Sequence, residues 1–68
     1  MHETVIGIVA NAYKLHIYKD PSIESDIIFS VYPHSELVVD LSKSTAEWLC
    51  VCTAIGIEGY CLREYVRI

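Results

Sequence analysis

The chain has 68 residues, 53% of them hydrophobic and 21% charged. That describes one domain spanning 1–68, too apolar for intrinsic disorder and too short to hold both a core and a deep catalytic cleft. Nine acidic residues against five basic give a net charge of −4, which argues against a surface that tracks nucleic-acid phosphates.

Taken in chain order, short apolar runs with period-2 alternation dominate, as half-buried strands require. Val5 to Ala10 is rich in β-formers but too short for a signal-peptide core, and no basic segment precedes it. Lys14 to Tyr18 alternates, with Leu15 and Ile17 on one face and His16 and Tyr18 on the other. Asp20-Pro21-Ser22 is a turn, because proline fixes φ and aspartate bonds the nearby backbone. Ile27 to Tyr32 is a strand that Pro33-His34-Ser35 ends, and Glu36 to Asp40 is the next. Ser42 to Thr45 is a polar loop. Trp48 to Thr53 sets Leu49 and Val51 against Trp48, Cys50 and Cys52 on the opposite face. Ala54 to Ile57 forms a hairpin loop with Gly56 at a positive φ. Gly59 to Leu62 follows, and Tyr65 to Ile68 closes the chain. Helical periodicity never exceeds a turn or two; Ser22–Asp26 and Leu62–Glu64 are the candidates for single turns. Five or six short antiparallel strands, with turns every 8–12 residues, predict an all-β fold. A small barrel suits this length, since closure removes exposed strand edges.

Three cysteines, Cys50, Cys52 and Cys61, are an odd number and no disulfide framework. Their expected state is that of small packed thiols. A two-residue hairpin loop sets Cys52 across from Cys61, and a four-residue loop sets Cys50 there instead. A metal site needs four ligands, usually with a tight pair such as Cys-x-x-Cys. Cys-x-Cys with one more cysteine and His2, His16 or His34 does not make that pattern, so no metal and no cofactor are expected. A cysteine nucleophile needs a base and an orienting group held in a shielded site. A domain of this size offers none, and the three glycines form no phosphate loop, so no enzymatic activity is expected.

The order of these features resembles the bacterial SH3 (SH3b) domain over about residues 8–68. Val9-Ala10-Asn11 and Leu15-His16-Ile17-Tyr18 stand where that family has its opening strand and Leu-Asn-Val-Arg motif. Pro21-Ser22, Ile27-Ile28, Val31, Pro33-His34 and Leu37-Val38-Val39 follow in family order. Trp48 with Val51, then Gly59-Tyr60-Cys61, Leu62-Arg63-Glu64 and Tyr65-Val66, complete the ending. The stretch from Val51 to Cys61 is also similar to small stand-alone SH3-domain proteins of Gram-positive bacteria and their prophages. The chain departs from the pattern at His16, at Tyr18, at a turn glycine replaced around His34, and at Tyr60 in place of tryptophan.

The resemblance implies an SH3-like barrel with its helical turn near Leu62–Glu64. It further implies a shallow groove where Trp48, Tyr65, Tyr13, Tyr18 and Tyr60 converge, with Glu47 and Asp20 at the rim. Flat rings of this kind bind extended peptides without deep pockets. The expected function is a non-catalytic module that docks a peptide or protein segment, or a peptidoglycan peptide if the chain belongs to a larger cell-wall protein. A complete stand-alone protein, which Met1 favours, would be cytoplasmic, and a fragment of a secreted one extracellular or in the cell wall. Nucleic acid and membrane are not expected partners. Two alternatives are a structural protein forming a homo-oligomer through its terminal strands, Val5–Val9 and Val66–Ile68, and an acidic phage-encoded inhibitor of a host protein.

Overall fold

A computed structural model describes residues 3–68. Seven antiparallel strands form one sheet. They are β1 (Thr4–Val9), β2 (Leu15–Tyr18), β3 (Ile27–Val31), β4 (Glu36–Asp40), β5 (Trp48–Cys52), β6 (Glu58–Leu62) and β7 (Val66–Arg67). The order across the sheet is β3-β2-β6-β5-β4-β1-β7, so β5 lies at its centre.

Alternation decides which face of this sheet is dry. Leu15 and Ile17 on β2, Leu37 and Val39 on β4, Leu49 and Val51 on β5, and Cys61 on β6 join Val9 and Val31 in one buried core. Phe29, Leu41, Tyr65 and Val66 pack against it from the margins. The period-2 reading of β2 and β5 therefore gives the inward residues correctly.

Four details differ from the sequence expectation. The strands number seven rather than five or six, because the two-residue β7 exists only through its pairing with β1, Ile8 to Arg67 and Val9 to Val66. Its propensity alone would not define a strand. The C-terminal turn is a 3-10 turn at Arg63–Tyr65, one residue beyond Leu62–Glu64, because Leu62 stays extended opposite Trp48. A second 3-10 turn, Leu41–Lys43, occupies part of the expected polar loop. The Asp40 carboxylate caps it by accepting from the Ser42 amide at 3.0 Å, as N-cap aspartates do. Ser22–Asp26 makes a hydrogen-bonded turn rather than a helix, with the Ser25 hydroxyl donating to the Ser22 carbonyl at 2.9 Å.

The β5–β6 hairpin overturns both cysteine registers. Cys52 pairs with Glu58, which leaves a five-residue loop from Thr53 to Ile57. Buried Thr53 organises it: the Thr53 amide donates to the Ile57 carbonyl at 2.9 Å, and its hydroxyl accepts from the Ile57 amide at 3.1 Å. Gly56 takes the expected positive φ, at 89°. Leu49 consequently faces Cys61 inside the core, while Cys50 faces Tyr60 on the outer side. Cys61 is thus separated from the other two cysteines by the sheet itself, and all three are free thiols.

Burial pushes the Cys61 thiol up from 9.0 to about 12, with a smaller contribution from Cys50. The unfolded chain releases this proton from about pH 9, whereas the folded chain holds it until about pH 12. Its contribution to stability is complete below pH 9 and is lost progressively across that window. Urea titrations from pH 8 to 11 are expected to show stability falling with pH. Cys61→Ala, though less stable overall, should show a shallower fall; identical slopes would refute the assignment.

Candidate functional site

The outer face of β2, β6 and β5 carries the side chains that alternation turns away from the core. Tyr18 pairs with Tyr60 across β2–β6, Tyr60 with Cys50 across β6–β5, and Leu62 with Trp48 one step along. The Tyr18 and Trp48 rings meet edge to face, 5.5 Å between centroids at 88°. This geometry sets the positive ring edge against the negative ring face. His16 meets Tyr18 the same way, at 6.4 Å and 83°, and its Nδ1 lies 3.2 Å from the Ser30 hydroxyl.

Beside these rings lies an open cavity of about 370 Å³. Asn11, Ala12 and Lys14 from the β1–β2 segment line it, with Leu15, His16, Tyr18, Leu62 and Tyr65. Asn11 holds a left-handed φ of 61°, which asparagine tolerates better than most residues. The Ala10 amide donates to the Tyr65 carbonyl at 2.8 Å and ties this segment to the C-terminal turn.

Two further depressions make, with the cavity, a discontinuous groove: the first adjoins it, and the second shares no lining residue with it. One shares Asn11 and Ala12 with it and is walled by Tyr13 and Pro33. The other, past the Tyr18–Trp48 contact, is lined by Pro21, Thr45, Ala46, Glu47 and Trp48. The segment before Trp48 is held firmly. The Thr45 amide donates to the Trp48 carbonyl at 2.7 Å, and the Thr45 hydroxyl accepts from the Trp48 amide at 3.1 Å. The Arg63 guanidinium donates twice to the Thr45 carbonyl, from Nε at 3.1 Å and Nη2 at 2.8 Å.

Of the five aromatic residues singled out by sequence, Trp48, Tyr18 and Tyr65 are brought to this groove. Tyr60 sits beside Tyr18 on the same face and lines none of the three hollows. Tyr13 stands 95% exposed at the far rim, apart from the ring cluster. Glu47 is at the opposite end, beside Trp48, while Asp20 does not line the groove. His16, which alternation places on the face with Tyr18, is half-buried in the groove wall. The alternation with Tyr18 was the available signal for it. Leu62 and Asn11 were missed because their place depends on how β6 and the β1–β2 segment meet.

Cys50 lies on this face opposite Tyr60, and burial pushes its thiol up, opposed by Lys43 and by a hydrogen bond with Tyr60. Among the described residues no three histidine, cysteine, aspartate or glutamate side chains converge as a metal site. His2, one of the ligands considered from sequence, lies outside the described residues. No helix among the described residues is long and apolar enough to cross a membrane. Neither a comparison with protein-family models nor one with curated proteins returns a match for this chain.

Proposed function

We propose that the chain is a non-catalytic, SH3-like binding module that docks an extended peptide segment in the groove running from Tyr13 past Tyr65 and Tyr18 to Trp48. The observation that carries this reading is the edge-to-face Tyr18–Trp48 pair beside the cavity lined by Tyr65. An aromatic floor of this kind makes contact with a peptide backbone at little conformational cost, because the rings are already fixed. The sequence resemblance to bacterial SH3 domains is what first singled out these residues.

Selection from a library of random nine-residue peptides, followed by titration of the enriched ones, tests it. Trp48→Ala is expected to weaken binding by at least about 30-fold, the loss typical of a central aromatic anchor. The circular dichroism of the variant should remain that of a folded β protein, since Trp48 is only half-buried. Unchanged affinity in a folded Trp48→Ala variant would overturn the reading.

A second reading, self-association, draws on a different surface. Ile6, Ile8 and Val38 are 54%, 40% and 43% exposed on neighbouring strands β1 and β4. The terminal strands proposed to mediate it already pair with each other within the chain, which leaves only the Thr4–Gly7 part of the β1 edge without a β7 neighbour. Peptide docking is therefore the better-supported function.

A further inference from the structure

The charges around the groove are distributed unevenly. The protein carries nine carboxylates against five Lys and Arg side chains, yet none of the eight residues lining the central cavity is acidic. Its polar members are Asn11, Lys14, His16 and the two tyrosine hydroxyls. Lys14 is a cation at an exposed position. His16 Nδ1 lies 3.2 Å from the Ser30 hydroxyl, and in the tautomer that accepts there Nε2 carries the ring proton and is a donor. Asn11 adds an amide. The opposite end of the groove is different: Glu47 lies beside Trp48, and the hollow that shares Leu62 with the cavity is lined by Glu47, Arg63 and Glu64.

Resting on the docking function above, we propose that the central cavity receives an Asp or Glu side chain from the middle of an extended peptide. Lys14 and His16 are its recognition residues, and Glu47 disfavours a second acidic residue toward Trp48. Donors in the absence of any lining carboxylate suit an anion and penalise a cation. The position within the peptide follows from the hollows on both sides. A chain that occupies the Tyr13–Pro33 depression and the Trp48–Pro21 depression passes through the cavity without ending there. The carboxylate therefore belongs to a side chain and not to a C-terminus.

The test uses nine-residue, acetylated and amidated proline–alanine peptides that differ only in a central Glu, Gln or Lys. A fourth peptide is truncated after the centre to present a free C-terminal carboxylate. Titrations are calorimetric, so the same readout serves Trp48→Ala, which removes the single tryptophan of the chain. The Glu peptide is expected to bind about fivefold more tightly than the Gln peptide at low salt, the scale of one exposed ion pair, and the Lys peptide more weakly still. This preference should shrink in 0.5 M salt, as screened charges do at roughly that ionic strength. In Lys14→Glu, a substitution at an exposed site, the Lys peptide should overtake the Glu peptide.

Equal affinities for Glu, Gln and Lys peptides, with binding still lost in Trp48→Ala, would overturn the carboxylate inference and leave the docking function standing. Binding of all peptides that survives Trp48→Ala, or no binding at all, would overturn both. Tighter binding of the truncated peptide than of the central-Glu peptide would overturn the assignment to a side chain.

Discussion

Gly59→Ala is expected to cost the domain about 3 kcal/mol, near the upper end for an overpacked site, and to take the aromatic groove with it. A Cβ at this position would lie 2.5 Å from Ile17 Cγ2, 2.6 Å from the Tyr18 carbonyl oxygen and 3.1 Å from Ile28 Cδ1. The first two contacts decide the outcome. Ile17 is fully buried and has no free volume to turn into, and a backbone carbonyl in a strand cannot rotate away. Relief requires β2 to move off β6. These strands are registered only through Tyr18 and Tyr60, so the movement displaces the ring that meets Trp48. Urea denaturation should show the loss of stability, and the Trp48 emission of the folded variant should shift from the wild type. Stability within about 0.5 kcal/mol of wild type, the range of an uneventful surface change, would contradict the packing described. Gly56→Ala is the control: its Cβ meets nothing within 4 Å, so only the 89° φ is strained.

Leu49→Ala is expected to lower stability by about 3–5 kcal/mol. Leu49 is fully buried on the central strand, opposite Cys61 and flanked by β4 and β6. A chain of this length has a total of about 3–10 kcal/mol to lose, so the variant should be largely unfolded or close to it at 37 °C. The thermal transition of wild type and variant gives the answer directly. A loss below about 1.5 kcal/mol would mean that the neighbouring side chains close over the space, and that the core is more plastic than a close-packed sheet allows.

The strands were legible wherever alternation and turn residues agreed. β4 is Glu36–Asp40 in sequence and structure alike, because the Pro33-His34-Ser35 break and Asp40 bound it on both sides. The inward faces of β2 and β5 followed from Leu15, Ile17, Leu49 and Val51. His34 takes a left-handed φ of 70° in the turn between β3 and β4. The hairpin register was not legible. Counting from Gly56 gives loops of two or four residues, whereas the buried Thr53 hydroxyl closes one of five. A side-chain hydrogen bond of that kind leaves no trace in hydrophobic periodicity, yet it moves Cys61 into the core and Cys50 onto the outer face. The groove shows the same division. Tyr18 and Trp48 could be assigned to the outer face from alternation, but their contact depends on the single β2–β6 pairing at Tyr60. Tyr13 sits where chain order suggested convergence, but the β1–β2 segment turns it to the rim.

The most direct test of the docking surface is amide chemical-shift mapping of the protein titrated with the tightest peptide from the random library. The account predicts the largest shifts at His16, Tyr18, Trp48, Leu62 and Tyr65, extending to Asn11 and Ala12, with Ile6, Ile8 and Val38 unmoved. Shifts confined to the β1–β4 face around Ile6 and Val38, with the aromatic groove silent, would contradict it.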